Sequence, residues 1–412
     1  MPEVIVPKVQ SILDYFRPLE DPRSTINRKH LLGDLIVISI CAVIAGADGP
    51  KAIGIWALAN QVWLLQHLEL PNGIPSHDTI GRLLALLKPK AFQTCFQTWI
   101  KALTEPASQG SMVTMPSPQK MIAIDGKALR RSHDRKNKLG ALFLVSAWSV
   151  ENGVSLGQLA TEAKSNEITA IPELIKNIDV SGAIVTIDAA GCQKNIAAQI
   201  IGAGGDYVFS LKGNQGNFHK AVEKWFTDRM ANGFMDATVR IHQEVVEGHG
   251  RIDTLTYYQC KVPADLLGRS NWKGLRSIGV AIRESRRGDK VTREVRYFIC
   301  SIRMSVKRFA RAVRGHWAIE NTLHWCLDVT FREDESRLRD RHAADNVAWL
   351  KRFAISLRSR LMTRKYRHAS PNGRLESQVP VASSWPARGL ACVYPGLAGV
   401  ASPASWGICG SR

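Results

Sequence analysis

The stretch GAIVTIDAAGCQKNIAAQIIGAGGDYVFSL, residues 182–211, decides the fold. It opens with an apolar run that ends in an acid at Asp188. A helical pattern follows over 193–204, and a second apolar run covers 206–211. Short apolar runs bounded by turn residues are typical of buried strands, so the stretch predicts a strand, a helix and a second strand.

Three further strand-like runs precede this stretch: MIAID (121–125), ALFLVSAWSV (141–150) and VSLGQLATEA (154–163). Basic or glycine-containing turns separate them, which is typical of an antiparallel meander. The run TAIPELIKNI (169–178) predicts a helix capped by Thr169. The order strand, strand, strand, helix, strand, helix, strand predicts an α/β fold with a mixed sheet. It is also the order of a ribonuclease H-like core.

The rest of the chain divides by pattern. Helical periodicity dominates at the N-terminus, where Ser76 or Asp78 is expected to cap a helix that begins near Thr79. Strands predicted near 254–262, 275–285 and 294–302 form an inserted β subdomain, and long helices are predicted over 305–329 and 340–361. The expected domains are a helical N-terminal domain (1–107), a linker (108–120), a ribonuclease H-like domain (121–365) with a β insertion at about 235–304, and a disordered tail (366–412).

Composition excludes several classes of protein. The 412 residues are 45% hydrophobic, which is too apolar for a disordered or collagen-like chain. Lys and Arg number 55 against 36 Asp and Glu, so the formal charge is +19. Such an excess causes self-repulsion unless a polyanion neutralises it, and nucleic acid is therefore the first partner expected.

The cysteine pattern and the apolar segments indicate the expected compartment and the relation to membranes. The eight cysteines contain no C-x-x-C pair, so a reducing cytosol is expected. No signal peptide is expected from the N-terminal residues. The most apolar stretch, 35–47, is too short to cross a bilayer and is predicted to be a buried helix.

Two acids share an unusual local setting. Asp125 and Asp188 each end an apolar strand, and a glycine follows within three residues. A carboxylate at the end of a buried strand is costly unless it is paired or binds a metal. The alternative is that each acid only caps the turn that follows it.

A third acid, Glu320, lies in RGHWAIENTLHWCLD. Helical spacing places His316, Trp317, His324 and Asp328 around it. The alternative is that Trp317 and Trp325 are core anchors and that the two histidines are their hydrogen-bonded neighbours. A zinc site made by His316, Glu320 and His324 is a rival hypothesis, but it lacks the H-E-x-x-H pattern.

Three carboxylates from two strands and a helix suit phosphodiester chemistry with two metal ions. Mg²⁺ prefers hard oxygen ligands and retains open positions for water and phosphate. The expected cofactor is therefore Mg²⁺, with Mn²⁺ tolerated.

The sequence resembles the DDE insertion-sequence transposases of the H-repeat-associated kind, almost continuously from Tyr15 to about Leu361. The shared motifs are EDPR (20–23), GIPSHDTIGRLL (73–84), IAIDGKALRRS (122–132), KSNEITAIPELI (164–175), VTIDAAGCQ (185–193), GGDYVFSLKGNQ (204–215), GHGRID (248–253) and HWAIENTLHWCLDVTFRED (316–334). The resemblance implies a transposase that cleaves DNA and transfers strands, with Asp125, Asp188 and Glu320 as its catalytic, metal-binding triad.

Two departures accompany the resemblance. Many related transposases carry Tyr, Arg and Lys at the positions of Val313, His316 and Leu327, so hairpin chemistry is not implied. The chain stops resembling the family after about residue 365. A degenerate copy that binds DNA without catalysis is therefore the alternative function.

Basic residues near the acids are expected to bind DNA. Residues 303–367 hold 16 Lys and Arg against 7 Asp and Glu. Phosphate contacts supply affinity with little sequence information, although some of these residues are expected only to face solvent. The candidate DNA-binding residues are Lys127, Arg130, Arg131, Lys212, Asn214, Arg314 and His316. The expected partners are DNA, as element ends and target, and further copies of the chain, with no membrane; the expected location is the cytoplasm, at the nucleoid.

Overall fold

Nine strands form one continuous mixed sheet. The computed structural model describes residues 9–26, 28–104, 119–161, 167–248 and 250–367. The strands are β1 (Met121–Leu129), β2 (Leu142–Ser149), β3 (Val154–Thr161), β4 (Ile184–Ile187), β5 (Asp206–Leu211), β6 (Val239–Gly248), β7 (Arg251–Lys261), β8 (Ser277–Arg287) and β9 (Lys290–Cys300). Their order across the sheet is β3-β2-β1-β4-β5-β9-β8-β7-β6.

The middle of the sheet is parallel and its flanks are antiparallel. Strand β1 pairs with β4, and β4 with β5, in parallel. Strands β2 and β3 pair antiparallel on one side, and β9 pairs antiparallel with β5 on the other. Parallel neighbours need crossover connections, which the helical pattern between β4 and β5 provides. The predicted α/β class with a mixed sheet is confirmed.

The inserted strands extend this sheet. Strands β6 to β9 pair antiparallel in succession, and β9 joins them to β5, so the sheet is unbroken from the core into the insertion. Three of the four were expected from their apolar runs. Strand β6 was missed because VRIHQEVVEG is mostly exposed and carries few buried apolar side chains to mark it.

Helices cover both faces of the sheet. The helices are α1 (Val9–Phe16), α2 (Leu32–Ile44), α3 (Pro50–Ala59), α4 (Gln61–Leu64), α5 (His77–Leu86), α6 (Pro89–Thr104), α7 (Glu167–Lys176), α8 (Lys194–Gly202), α9 (Gly216–Ala231), α10 (Val306–Ala318), α11 (Trp325–Val329) and α12 (Arg341–Arg367). Buried side chains of α7, α8 and α9 form one core with Val185 and Phe209. Those of α10 form a second core with Ile184 and Val208. Ile184 and Val185 are neighbours in β4, so their side chains point to opposite faces of the sheet. Helix α10 therefore covers one face, and α7, α8 and α9 cover the other.

A π-helix breaks the helix predicted over 305–329. Residues Ile319–His324 form this wider turn between α10 and α11. Turns of this kind are rare and are often found at functional sites. Helical spacing from the sequence assumed 3.6 residues per turn throughout, so it could not anticipate the break.

By packing, the described residues form two compact units. The first comprises those within 1–109, 129–142 and 325–412, and the second those within 110–128 and 143–324. The predicted domain boundaries stay a prediction. Predictions for the linker at 108–118 and the tail at 368–412 fall outside the described residues.

The first unit is a helical bundle in which α12 packs against α2, α5 and α6. Phe353 of α12 lies 4.3 Å from Phe96 and 4.7 Å from Trp99, measured between ring centroids. A fully buried ion pair of 2.7 Å joins Arg352 to Glu333. Aromatic packing of this size contributes strongly to helix association.

Two local expectations in the first unit are confirmed. Ser76 caps α5, where its hydroxyl accepts a hydrogen bond of 3.3 Å from the backbone N–H of Thr79. The apolar stretch at 35–47 forms most of α2, whose residues 34–43 are all buried. Within the described ranges, none of the helices combines the length and apolar character required to span a membrane.

Candidate active site

Two of the predicted acids lie side by side. Asp125 is in β1 and Asp188 directly follows β4, and these strands are parallel neighbours with Ile124 opposite Ile187. The register therefore places the two acids at the same level of the sheet and on the same face. That face is the one covered by α10, since Met121 and Ile184 belong to its core.

Backbone hydrogen bonds orient both carboxylates. Asp188 Oδ1 accepts N–H bonds from Ala190 at 3.0 Å and from Gly191 at 3.2 Å. Asp125 Oδ1 accepts one from Gly126 at 2.9 Å. These bonds are the turn-capping contacts considered from the sequence, and a chemical role for the two acids stays a prediction.

Asp125 is held in an environment that opposes its charge. Burial, then the negative charge of Asp188, raises the pKa of the Asp125 carboxyl to about 7, with further contributions from Glu320 and Glu167. The Gly126 hydrogen bond opposes this rise only in part. A pKa near neutrality in a group of carboxylates is typical of functional sites.

Glu320, the third predicted acid, lies in the π-helix. It is exposed, whereas its neighbour Ile319 is buried and anchors the turn. Its charge contributes to the raised pKa of Asp125. Within the second unit, the charges of Asp188 and Glu320 therefore both act on Asp125.

The two predicted histidines point to different strands. His324 Nδ1 lies 3.5 Å from Asp125 Oδ2, and His316 Nδ1 lies 3.2 Å from the hydroxyl of Thr186 in β4. Burial lowers the pKa of His316 to about 4 against the opposing charge of Asp188, so its imidazole is neutral at pH 7. This divergence does not favour the rival zinc site at His316, Glu320 and His324.

The donor chemistry suits a divalent cation. Three carboxylates offer hard oxygen ligands, and their mutual repulsion is the kind that Mg²⁺ relieves. Within the described ranges, no three or more His, Cys, Asp and Glu side chains already form a group that could hold a metal ion. The residues fit such an ion by the chemistry of their carboxylate oxygens.

The predicted DNA-binding residues are spread over several elements. In the second unit, Lys212 is exposed just after β5. The side-chain amide of Asn214 donates a hydrogen bond of 2.6 Å to the carbonyl oxygen of Ala189. Arg314 pairs with Glu244 of β6, and Lys127 is only 9% exposed. In the first unit, Arg130 lies 3.1 Å from Asp334 and Arg131 is exposed. Their role in DNA binding stays a prediction.

Sequence analysis did not single out Glu167. This side chain, at the start of α7, is only 3% exposed. A Cβ added to Gly126 would lie 2.7 Å from its Oε1, so Glu167 is packed against the residue next to Asp125. Its place in the motif KSNEITAIPELI was a signal, but only the fold brings the α7 terminus to β1.

The positions associated with hairpin chemistry are filled by other groups. Val313 is 1% exposed and Leu327 is fully buried, so both are core residues. His316 is bonded to Thr186. These contacts explain why apolar residues occupy two of the three positions.

Comparison with known proteins assigns the family. Residues 111–357 match the model of the transposase DDE domain, and residues 13–100 match that of the DDE_Tnp_1-associated domain. The "H repeat-associated putative transposase YhhI" of Escherichia coli K12 is 36% identical over 357 residues, which cover 85% of this chain and 90% of YhhI. The "Putative transposase YncI" of E. coli O157:H7 is 39% identical over 353 residues, 85% of this chain and 87% of YncI.

The chain belongs to the DDE transposase family. The predicted resemblance and the ribonuclease H-like α/β fold are thereby confirmed. A solved piggyBac transposase synaptic complex with hairpin DNA aligns over 96% of this chain and 79% of that one, with a TM-score of 0.39 and 10% identity. A likeness that weak carries no argument about function.

Proposed function

We propose that this protein is a DNA transposase that catalyses metal-dependent phosphodiester cleavage and strand transfer of an insertion sequence. One observation carries the proposal: Asp125 and Asp188 lie at the same level of adjacent parallel strands, and Glu320 is near enough for its charge to act on Asp125. Family membership supports a nuclease or transposase activity in general.

The proposed reaction has two steps with the same chemistry. In the first, water attacks the phosphorus at the element end, the P–O3′ bond breaks, and the departing 3′ oxygen takes a proton. In the second, that 3′-hydroxyl attacks a target phosphorus, and another P–O3′ bond breaks, so one phosphodiester replaces another. Divalent ions held by these acids would supply activation of the attacking oxygen and stabilisation of charge on the leaving oxygen.

The residues of the chain have distinct proposed roles. Asp125, Asp188 and Glu320 would hold Mg²⁺, with Mn²⁺ tolerated, because all three supply carboxylate oxygens. Asp125 must lose its proton to do so, and its pKa of about 7 places that step near neutral pH. The amides of Ala190 and Gly191 keep the Asp188 carboxylate in one orientation.

DNA is the proposed partner, as element ends and as target. The charge of +19 supports binding to a polyanion. Lys127, Arg130, Arg131, Lys212, Asn214, Arg314 and His316 are the proposed contacts. The N-terminal helical domain would bind ends or support assembly, and joining two ends requires a multimer. An enzyme with this partner would act in the cytoplasm at the nucleoid.

A degenerate copy that binds DNA without cutting it is the second candidate. The observation that favours it is the C-terminal segment 371–412, which is rich in Gly, Pro, Ser and Ala and lies beyond the family match ending at 357. The acids at 125, 188 and 320 favour the active enzyme.

Cleavage of a linear duplex that carries one end of the encoding element separates the two. We expect the wild-type protein to nick this duplex with Mg²⁺ and to be inactive with EDTA. Asp188→Asn should lower the cleavage rate by at least about a hundredfold, because it removes a charged oxygen ligand.

The matched control is Asp228→Asn on α9. Asp228 is exposed and lies 3.0 Å from Lys224, so the same charge change is made on a helix of the opposite face. Equal cleavage by wild type and Asp188→Asn would remove the catalytic assignment. DNA binding without cleavage by any variant would support the degenerate copy.

A further inference from the structure

A strongly basic groove lies on the part of the sheet formed by the insertion. It has a volume of about 330 Å³, and its lining includes Arg251, Arg283, Ser285, Arg287, Lys290 and Arg293. These residues come from β7, β8 and β9. None of them is among the DNA-binding residues proposed from the sequence.

Charge is concentrated in the hairpin that forms the groove. Residues 283–296, RESRRGDKVTREVR, carry six basic side chains against three acidic ones. The distal positions Arg287, Lys290 and Arg293 are all exposed. A cluster with this excess of basic charge on an exposed sheet attracts a polyanion.

Three residues of the groove lining are held in place by one buried acid, Asp253. Asp253 lies 2.8 Å from Arg283 and 3.0 Å from Arg251, and its Oδ1 accepts a 2.5 Å hydrogen bond from Ser285. Burial alone would raise the pKa of Asp253, but the hydrogen bonds from Ser285 and Arg283 lower it overall. One acid thus orders two arginines and leaves their combined charge in excess.

The groove and the candidate active site share one face of the sheet. Across the sheet, Arg283 is opposite Glu294, and Ser285 is opposite Thr292 and Asp253. Side chains alternate between the two faces along each strand. Following the paired residues of this face through β9 and β5 leads to Thr186 of β4, two residues before Asp188. Helices α8 and α9 pack in the core on the other face of the sheet.

The end of α10 connects the two places directly. His316 bonds to Thr186 near the acids, and the ring of the next residue, Trp317, lies 5.9 Å from the guanidinium of Arg283 and 5.2 Å from that of Arg296. Glu320 follows three residues later. Polar and basic groups therefore run from the acids to the groove without leaving this face.

We propose that this basic groove binds the phosphate backbone of DNA beside the cleavage site. The inference rests on the proposed function and names an additional contact surface for it. Counted by strand spacing and rise, Arg283 is roughly 20 Å from Asp188 along the sheet. At about 3.4 Å per base pair, this corresponds to phosphates roughly six base pairs from the scissile bond.

The test is the salt dependence of binding to a 40-base-pair duplex of arbitrary sequence. The groove variant is Arg287→Ala/Lys290→Ala/Arg293→Ala. The control variant is Lys194→Ala/Lys220→Ala/Lys224→Ala, which removes the same charge from exposed positions on α8 and α9. Because each lost phosphate contact lowers the slope of log K against log salt by about 0.9, the groove variant should lose about 2–3 units of slope and at least about tenfold in affinity.

Outcomes that differ between groove and control decide the proposal. Loss of slope in the groove variant alone supports it. Equal loss in both variants would show a general charge effect and overturn it, and so would an unchanged slope in both while the wild type binds. Unchanged DNA binding with a smaller assembly by light scattering would assign the groove to another protein chain. If the wild type binds no DNA at all, the proposed function fails first.

A second measurement locates the contact. Methylphosphonate linkages, which remove single phosphate charges, are placed one at a time along an element-end duplex. By the same count, Arg287, Lys290 and Arg293 lie roughly 20–30 Å from Asp188, so neutral linkages about six to nine base pairs from the cleaved bond should weaken wild-type binding severalfold and leave the groove variant unaffected. The same loss in both proteins at every position would overturn the proposal.

Discussion

Asp125 shows at the scale of one residue how the fold makes a site. Its carboxyl is buried beside Asp188 and feels the charges of Glu320 and Glu167, so its pKa rises to about 7. In an unfolded chain an aspartate titrates near pH 4. The native protein therefore binds a proton between these values that the unfolded chain releases.

This difference predicts a pH-dependent cost of folding without metal. Stability falls as pH rises from about 4 to about 7, because the native state must release a proton it holds more tightly. Asp125→Asn removes the effect. In EDTA, we expect the variant's advantage in free energy of unfolding to grow by about 2–3 kcal/mol between pH 5 and pH 8, measured by urea denaturation.

Metal provides the internal check on this prediction. At pH 8, added Mg²⁺ should stabilise the wild type and leave Asp125→Asn unchanged, because binding to N but not U adds to stability. Asp228→Asn should follow the wild type throughout. A stability difference independent of pH would show that the Asp125 charge is not the cause.

At the scale of elements, the π-helix at Ile319–His324 sets where the third acid points. Glu320 is exposed while Ile319 and Leu323 are buried, so the wide turn separates a packing face from a chemical one. His324, at its end, reaches Asp125. The wider turn departs from the 100° per residue of a regular α-helix, so it sets the angular positions of Glu320 and His324.

Deleting Asn321 tests this role. The residue is exposed, and its removal should let the turn revert to a regular α-helix with its neighbours in register. We expect a folded protein with unchanged DNA binding and a loss of cleavage of at least about a hundredfold, by displacement of Glu320. Asn321→Ala, which keeps the chain length, should retain activity. Full activity of the deletion variant would show that the π-turn has no positioning role.

At the scale of the whole molecule, joining two element ends requires more than one active site. Mixing wild type with Asp188→Asn therefore measures cooperation between copies. If each productive complex holds two copies that must both be active, an equal mixture should retain about one quarter of wild-type cleavage, against about one half for independent monomers. The measurement is paired-end cleavage at constant total protein, and a value of one half would contradict the need for two active copies in one complex.

Most strands of the core were predictable from the sequence, whereas one strand and the start of one helix were not. The runs at 121–125, 182–188 and 206–211 lie in β1, β4 and β5, because short apolar runs bounded by turn residues are typical of buried strands. Strand β6 escaped because most of its side chains are exposed and polar. The helix expected to start with a cap at Thr169 begins instead at Glu167, whose side chain is buried next to Gly126.

The order of amino acids by itself determined the α/β class and the transposase resemblance and predicted the three acids, since these depend on local patterns and motifs. Only the tertiary structure decided the raised pKa of Asp125, the place of Glu167 and the continuation of the sheet into the insertion. The basic groove belongs to that second group, because Arg251 and Arg283 meet at Asp253 only through strand pairing. Such properties arise from burial and from charges distant in sequence, which local patterns do not encode.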